Sequence, residues 1–541
     1  MKRIVTLLHA SVFLILLAAI SGNAAMQEDN RNFYRLNQAL YDISNFYLDT
    51  VNQTELTDKA IAAMVAALDP HSTYIPADQV KEMNEPLVGN FEGIGIEFAI
   101  INDTLTVQSV IPGGPSERVG IRSGDKIVSV DGETIAGTSL TIPRVHKYLR
   151  GQKGSKVLVG VIRRGEDHMQ EFLITRDKIP LNSVDAAYET EDGIHYVKLG
   201  RFSASSYREI ITALFSVEKV PEGVILDLRG NGGGYLIAAL QIANEFLERG
   251  NLILYTEGRN APMMREYANG RGRLQNVPVA VLIDENSASA SEIVSGALQD
   301  WDRGVIIGRR SFGKGLVQRQ FDLLDGSQLR LTVARYHTPS GRVIQSPYKE
   351  GEALEYYKAF YDRFASGEYM DKDSISFPDS LKYSTLRLKR TVYGGGGIMP
   401  DIFVPADTSY YSPFYRDVLR KGVLVDFVNG YTDRMRETIM ESYADSLSFM
   451  EQFEVDEALW GEFVAYAASR ECKYLQERDS VSADKLSEFI KGLIIRNMYG
   501  MNSYFIYMNR SDEEVLRALE ILRSHQVYGL SGQDALSDAE S

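Results

Sequence analysis

Two short apolar runs constrain this chain more than any other feature. Val224 to Leu228 and Pro278 to Asp284 carry almost no polar side chain. They are too short to be helices and too apolar to be strands with one wet face. Each is followed by small or glycine residues and then by a helical pattern, Leu236 to Leu247 after the first. Strands that hide both faces belong to parallel sheets covered by crossover helices. Ile194 to Leu199 and Val305 to Gly308 read as further strands, and Ser205 to Phe215 as a helix. The middle of the chain therefore predicts a layered α/β unit with a mainly parallel sheet.

That unit is only part of the whole. With 541 residues, and roughly 150 per domain, three to four domains are expected. Asp and Glu outnumber Lys and Arg by 73 to 58, a net charge of −15, so the basic surplus of a nucleic-acid binder is missing. Only seven His and a single cysteine, Cys472, are present. One thiol cannot form an internal disulfide, and no Cys/His cluster has zinc-ligand spacing, so neither a metal nor another cofactor is expected.

The amino terminus reads as an address. Lys2 and Arg3 precede the apolar run Ile4 to Ile20, and the small residues Ser21, Gly22, Ala24 and Ala25 follow. Residues 1–25 thus form a predicted signal peptide, removed on export to a periplasmic or other extracytoplasmic space. Left uncleaved, the run would hold the protein at a membrane. Residues 26–86 read as a helical amino-terminal domain or arm. Leu36, Leu40, Ile43 and Tyr47 share one helical face, and Ile61, Met64, Val65 and Leu68 another, ending at Asp69-Pro70.

From Phe91 the texture changes to short strand-like runs punctuated by turns in a fixed order. These are Gly93-Ile94-Gly95-Ile96, Pro112-Gly113-Gly114-Pro115-Ser116-Glu117, Gly120-Ile121-Arg122-Ser123-Gly124-Asp125 and Ser129-Val130-Asp131-Gly132. The ordered set resembles a PDZ domain over 87–178. Such a domain takes a peptide carboxy-terminus as an added strand. The resemblance implies that Gly93, Ile94, Gly95 and Ile96 receive the terminal carboxylate on free backbone N–H groups.

Three later stretches call for more than a structural explanation. Asp227-Leu228-Arg229-Gly230-Asn231-Gly232-Gly233-Gly234-Tyr235 sets glycines between a buried strand and a helix, where free N–H groups favour negative charge. Its contiguous glycines miss the G-x-G-x-x-G of dinucleotide loops. Asn286-Ser287-Ala288-Ser289-Ala290-Ser291-Glu292 occupies an equivalent strand–helix turn, and one serine would suffice as a cap. Gly308 to Gly315 nearly spells a P-loop. Yet Gly315 stands where Ser or Thr should hold magnesium, and a strand-like run, Leu316 to Phe321, follows in place of a helix. Lys314, between glycines, can instead serve as the base for a serine if burial holds it neutral. His337 is the nearest histidine alternative.

Together these segments resemble the carboxy-terminal processing proteases, the tail-specific serine peptidases of the S41 family. Matching motifs are L-D-P-H-S-T-Y (Leu68 to Tyr74), the PDZ turns, L-D-L-R-x-N-x-G-G, S-A-S-A-S-E, F-G-K-G and T-P-S-G-R (Thr338 to Arg342). The match resumes at Gly397-Ile398-Met399-Pro400-Asp401-Ile402. The resemblance implies a multidomain α/β protein with a ClpP/crotonase-like peptidase core over 179–345 plus 394–410. It implies Ser289 as nucleophile, Lys314 as general base, Gln318 as its orienting partner, and backbone N–H groups of Ala290 and Gly233 as the oxyanion hole. Glu292 and Arg229 read as structural charges. Expected substrates are proteins or peptides with accessible carboxy-termini, and an inactive PDZ adaptor or a ligand-binding protein on the same fold is the alternative. Two departures stand out: Gly232 replaces the family's proline in the glycine turn, and 346–393 reads as an insertion. Residues 411–541 read as a helical carboxy-terminal domain with 23 acidic and 14 basic residues, a solvated surface. Ser511-Asp512-Glu513-Glu514 is expected to cap its last helix.

Overall fold

The computed structural model describes residues 31–166, 168–215 and 219–524. The expected signal peptide, 1–25, lies outside the described residues. Among the described residues, no helix is long and apolar enough to cross a membrane.

The first helix, 31–46, keeps its apolar face uncovered, with Leu36, Ile43 and Tyr47 exposed. A second helix, Gln53–Ala66, ends at the turn Asp69-Pro70 and leads into a short strand, Thr73–Ile75. The PDZ-like unit follows. It is closed at its base by antiparallel pairing of Asn90–Gly93 with Asp177–Pro180, so its last strand runs two residues past the boundary expected at 178. Its own core gathers Ile94, Leu105, Val107, Ile127, Val145, Val159 and Ile174. Among the described residues, the strand β1 (Ile96–Ile101) pairs only with Thr104–Val110, and its other edge is open. Helix α1 (Ile142–Leu149) lies near that edge, across a groove.

The two apolar runs become β2 (Gly223–Asp227) and β3 (Val279–Ile283), buried at every position. They are the central pair of a six-stranded sheet in the order 184–189, 194–199, β2, β3, 305–308, 402–403. All its pairings are parallel except that of the first strand. One face packs on helices α2 (Leu236–Phe246) and α3 (Ala290–Asp300) through Val224, Leu226, Val279 and Val281. The resumed motif at 397–402 supplies the last strand, which explains its return after a long interruption.

A second sheet, antiparallel, carries β4 (Leu316–Asp322) and β5 (Gln328–His337), paired along their lengths. Thr73–Ile75 joins the far side of β5, Thr73 facing Arg330. The amino-terminal segment thereby becomes an edge strand of the sheet that follows Lys314. The insertion contains α4 (Ala353–Ala365) and the small hairpin 382–384 with 391–393.

The carboxy-terminal helices divide into two parts. Helices α5 (Val423–Ser442), α6 (Ala483–Tyr499) and α7 (Met501–Met508) belong to a unit with an aromatic-rich core around Phe414, Phe427, Phe449 and Phe463. Helix α8 (Glu513–Arg523) leaves that unit and covers the other face of the parallel sheet, with Val515, Ala518, Ile521 and Leu522 against Ile225, Ala280, Leu282 and Ile307. Its cap is Asp512, which accepts from Val515 N–H at 3.0 Å, one residue later than the serine expected from the sequence. Asp512 and Glu514 also receive Arg229, and Glu514 receives Arg309. Part of the tail's acidity is thus bound to the core, correcting the reading of it as solvated surface.

Beneath this contact Asp227 is fully buried, held by Arg229 at 2.6 Å, Lys198 at 3.1 Å and the Tyr196 hydroxyl at 2.7 Å. Burial alone would raise its pKa, but Arg229 and Lys198 hold the carboxyl well below the ordinary range. Such a group stabilises the fold above the unfolded value, near 3.8, and that contribution drains away as pH falls below it. Asp227→Asn should cost about 3–5 kcal/mol at pH 7 by leaving two buried cations short of a partner. Urea unfolding at pH 7 and again near pH 3 checks this, with the gap from wild type expected to narrow in acid.

Candidate active site

The three stretches singled out in the sequence converge on one cavity of about 600 Å³. Its lining includes Gly232 to Leu236, Ser289, Ala290, Lys314, Gln318, Arg330 and Tyr336. Ser289 caps α3 from a turn where its φ is +55° and ψ −108°. A side chain in that region is held at a cost of about 1–3 kcal/mol, so the surroundings must enforce it.

The neighbouring serines help to do so. Ser287 and Ser291 are fully buried, whereas Ser289 is partly open to the cavity. Ser287 Oγ donates to Leu228 O at 2.9 Å, and Ser291 Oγ to Asn231 O at 2.8 Å. Both tie the serine turn to the glycine turn. Ala288 N–H adds a bond to the same Asn231 carbonyl at 3.0 Å. Two of the three serines thus tie the turns together, and the third, Ser289, keeps its side chain partly open to the cavity.

Glu292 and Tyr336 bridge Ser289 and Lys314. The Glu292 carboxylate accepts four hydrogen bonds: from the backbone N–H groups of Ser289 (2.8 Å), Gly313 (2.7 Å) and Lys314 (2.9 Å), and from Ser311 Oγ (2.5 Å). Burial pushes its pKa up while these donors pull it back. Tyr336 shares its hydroxyl proton between Lys314 O at 2.9 Å and Ser289 O at 3.2 Å. Both backbone polar groups of Ser289 and of Lys314 are thus held by the same two buried side chains.

Lys314 Nζ donates to Gln318 Oε1 at 3.3 Å, and Gln318 Nε2 donates in turn to the carbonyl of His71. The amide is fixed in the orientation that offers its oxygen to the lysine. Burial pushes the Lys314 pKa down; Glu292 and Asp69 oppose this, and Arg330 adds to it. No hydrogen bond joins Lys314 Nζ to Ser289 Oγ among the described residues. His337, the histidine alternative, faces Glu257 at 3.6 Å and stacks on Tyr255, and is absent from the cavity lining.

Sequence reasoning placed a different histidine only within a motif. His71 is partly buried beside the lysine, its pKa pushed down to about 4 by burial and by the Lys314 charge, against Asp69. It is neutral at physiological pH. Asp69 accepts from His71 N–H and Ser72 N–H, both at 2.9 Å, and from Thr332 Oγ1 at 3.1 Å. Asp-Pro followed by two residues bonding back to the carboxylate is a side-chain-closed turn, and it aims the His71 carbonyl at Gln318. The helical arm therefore ends in a piece of the site. The insertion also reaches it. Tyr356 of α4 packs edge-on against His71, ring centres 5.1 Å apart, and against Phe312 beside Lys314. Arg363 donates to the carbonyls of Arg310 (2.8 Å) and Ser311 (3.0 Å), strapping the lysine loop from behind.

The glycine turn touches the serine directly. A β-carbon on Gly233, whose φ is +99°, would lie 2.9 Å from Ser289 Cβ and 2.8 Å from Ala288 O. Its N–H donates to Asn231 Oδ1 at 2.9 Å, so an oxyanion would have to share or displace that bond. Ala290 N–H has no acceptor among the described residues. In the PDZ-like unit, Gly93, Ile94 and Gly95 are buried, Ile96 begins β1, and the N–H groups of Ile94 and Gly95 have no acceptor among the described residues.

Residues 193–350 match the model of Peptidase family S41, 106–163 that of a PDZ domain, and 414–500 that of a family of unknown function. A carboxy-terminal-processing protease of Bartonella bacilliformis is 34% identical over 354 residues, 64% of this chain and 81% of that one. The chain belongs to the carboxy-terminal processing protease family. Carboxy-terminal processing protease CtpA of Bacillus subtilis is 32% identical, over 66% of this chain and 75% of its own. Among solved structures, the photosystem II D1 C-terminal processing protease is similar at 29% identity, covering 57% of this chain and 89% of that one with a TM-score of 0.32. The S41 fold with a PDZ domain and a helical carboxy-terminal region, expected from the motifs, is what the chain forms.

Glu292→Gln would turn an amide NH₂ toward backbone N–H donors, costing about 3 kcal/mol of stability. It should lower kcat about a hundredfold with KM little changed. Tyr336→Phe, which leaves the Lys314 carbonyl unbonded while Ser289 O keeps the Ile293 N–H at 2.9 Å, should cost about 1–2 kcal/mol with a smaller loss of kcat. Steady-state kinetics and urea unfolding of each variant check both.

Proposed function

We propose that this protein is an exported serine endopeptidase that recognises protein carboxy-termini through its PDZ domain and cleaves by a Ser289–Lys314 dyad. The observation that carries the reading is the strained Ser289 sharing one cavity with a partly buried lysine whose pKa is lowered and whose amine is held by Gln318. Export rests on the character of residues 1–25, and the free N–H groups of Ile94 and Gly95 support carboxylate capture by the 93–96 loop.

In this mechanism neutral Lys314 takes the Ser289 hydroxyl proton as the oxygen attacks the scissile carbonyl. The protonated lysine then returns that proton to the leaving amine, and water repeats the sequence on the acyl-enzyme. Proton transfer needs Nζ within about 3.2 Å of Oγ, a contact that substrate binding has to complete. The tetrahedral oxyanion receives Ala290 N–H at the start of α3, together with Gly233 N–H shared with Asn231. Losing one such donor costs about 2.7–4 kcal/mol of barrier. Gln318 and the His71 carbonyl position the lysine, and Asp69 positions His71. No step calls on a metal or cofactor.

Ser289→Ala and Lys314→Ala should each abolish cleavage of an unstructured substrate with a free carboxy-terminus, read by gel or mass spectrometry. Cleavage by both equal to wild type would remove the Ser289–Lys314 mechanism, and no cleavage by wild type would leave the adaptor or ligand-binding reading. Because the base must be unprotonated, kcat/KM should rise with pH on a limb set by one group below the ordinary lysine value of 10.5. A limb near 6.5 would instead assign the base to a histidine. Burying this amine also costs stability, in full below its folded pKa and not at all once the unfolded lysine is neutral too. Lys314→Met should therefore raise Tm at pH 7, and the gain should vanish as pH climbs past about 10.5.

A further inference from the structure

The cavity that holds Ser289 carries a charge pattern that serine–lysine chemistry does not itself require. Among the described residues, three cations line it, Lys314, Arg319 and Arg330, and no carboxylate does. In the chain as a whole acidic residues outnumber basic ones by 73 to 58, so this lining runs against the average. A cleft bordered by one sign of charge draws groups of the opposite sign into it.

Of the three, Arg330 is the one placed to hold a ligand. Lys314 is occupied with Gln318, and Arg319 is exposed and lies over the Phe321 ring, 4.3 Å from its centre. Arg330 stands on β5 directly opposite Gln320 of β4, just as Thr332 stands opposite Gln318. Residues two apart on a strand share a face and lie about 7 Å apart. Arg330 therefore shares the face of the pair that holds the lysine, one step further along the sheet. Its charge is felt at Lys314, where it adds to the lowering of the amine's pKa.

The partners of Arg330 leave it incomplete. Nη2 donates to Asn84 Oδ1 at 2.8 Å and to the Met83 carbonyl at 3.3 Å, both on the helix Val80–Val88. Gln320 Nε2 already donates to the same Asn84 oxygen at 2.9 Å, so anchoring that helix does not call for a charge. Arg330 is partly open to the cavity, but its Nε is buried with no hydrogen-bond partner. The side chains set against it are Thr73, Gln320 and Asn84, none of them a carboxylate, and no ion pair reaches it among the described residues. Burial pushes its pKa down, with Tyr235 acting against the shift. A partly desolvated guanidinium that is fixed on one side and lacks an anion gains most from an arriving carboxylate.

We propose that Arg330 is a specificity-determining residue that receives a carboxylate of the bound substrate a few residues from the cleaved bond. This rests on the Ser289–Lys314 reading given above. The spacing comes from the sheet: about 7 Å separates Arg330 from the Gln318–Thr332 pair, which is about two residues of extended substrate. The lengths of the two side chains that meet add up to about two more, so the carboxylate belongs roughly two to four residues from the bond. It is carried by an acidic side chain or by the free end of a short tail, which offer the guanidinium the same chemistry.

The test uses full-length protein and an unstructured peptide of about twenty residues without acidic side chains, its cleaved bond mapped by mass spectrometry. Asp, Asn or Lys is then placed in turn at each of the four positions on either side of that bond. At one or more of these positions wild type should cleave the Asp peptide with kcat/KM about tenfold above its Asn counterpart. Arg330→Gln should bring that ratio close to one. Arg330→Glu should invert it and favour Lys at the same position, and cleavage of the Lys peptide shows that this variant is folded. Parent peptides cut short to end two to four residues past the bond, as free acid or carboxamide, separate the two sources. An Arg330-dependent preference for the acid assigns the terminal carboxylate, and a preference confined to internal Asp assigns the side chain. The inference is overturned if wild type prefers neither Asp nor a free end, or if Arg330→Gln keeps the preference. Absence of cleavage by wild type, or undiminished cleavage by Ser289→Ala, would instead remove the dyad reading, and this inference with it.

Discussion

The candidate active site depends on one buried carboxylate. Glu292 accepts the backbone N–H of Ser289 on the oxygen that also takes Lys314 N–H, while its other oxygen takes Ser311 Oγ and Gly313 N–H. Two segments 25 residues apart in sequence (289 and 314) are thereby locked to a single planar group. Tyr336 repeats the bridge on the carbonyl side. A serine held at positive φ and a lysine held in a desolvated pocket are both unfavourable on their own. They persist because four directional bonds in a dry interior make any other arrangement of these loops worse.

From that clamp outward, each added part of the chain orients something nearer the centre. The Asp69 turn presents a carbonyl to Gln318, which presents an oxygen to Lys314. The insertion braces the lysine loop through Arg363 and Tyr356. Helix α8 closes the back of the sheet, and Asp512 and Glu514 complete the charge balance begun by Asp227 and Arg229. The long tail and the insertion, which carry few motifs, act through packing and ion pairs.

Much of this was legible before any coordinates, for a physical reason. The parallel sheet announced itself because strands covered on both faces must be apolar throughout. The PDZ domain announced itself because its turns need glycines and prolines at particular places. The failed P-loop pattern pointed to Lys314 as a base for a serine turn, and the resemblance to the family singled out Ser289 and Gln318; the structure brings all three to one cavity. The histidine was harder. His337 was nearest in sequence and is elsewhere, while His71, some 240 residues from Lys314 (314 − 71), is beside it. Strand pairing between Thr73–Ile75 and β5 closes that distance, and no local signal in residues 68–74 reveals the register. The cap at Asp512, where Ser511 was expected, is a smaller case: either side chain can cap, and the docking of α8 on Arg229 selects the one that does both tasks.

By itself the sequence determined which elements form and which residues can do chemistry, because periodicity, turn residues and nucleophile–base types are local properties. What the tertiary structure decided is which of those residues meet, and in what state of charge. Ser287 and Ser291 are pinned to the glycine turn while Ser289, at positive φ, opens to the cavity, and the lowered pKa of Lys314 comes from its burial. The carboxy-terminal unit is the clearest instance. Its sequence reads as acidic helices, and only its docking sets Asp433 against Lys126 of the PDZ domain and Asn502 against Ala187 of the peptidase sheet. Contacts between segments hundreds of residues apart depend on the packing of whole surfaces, and that information is not held in any one stretch of chain.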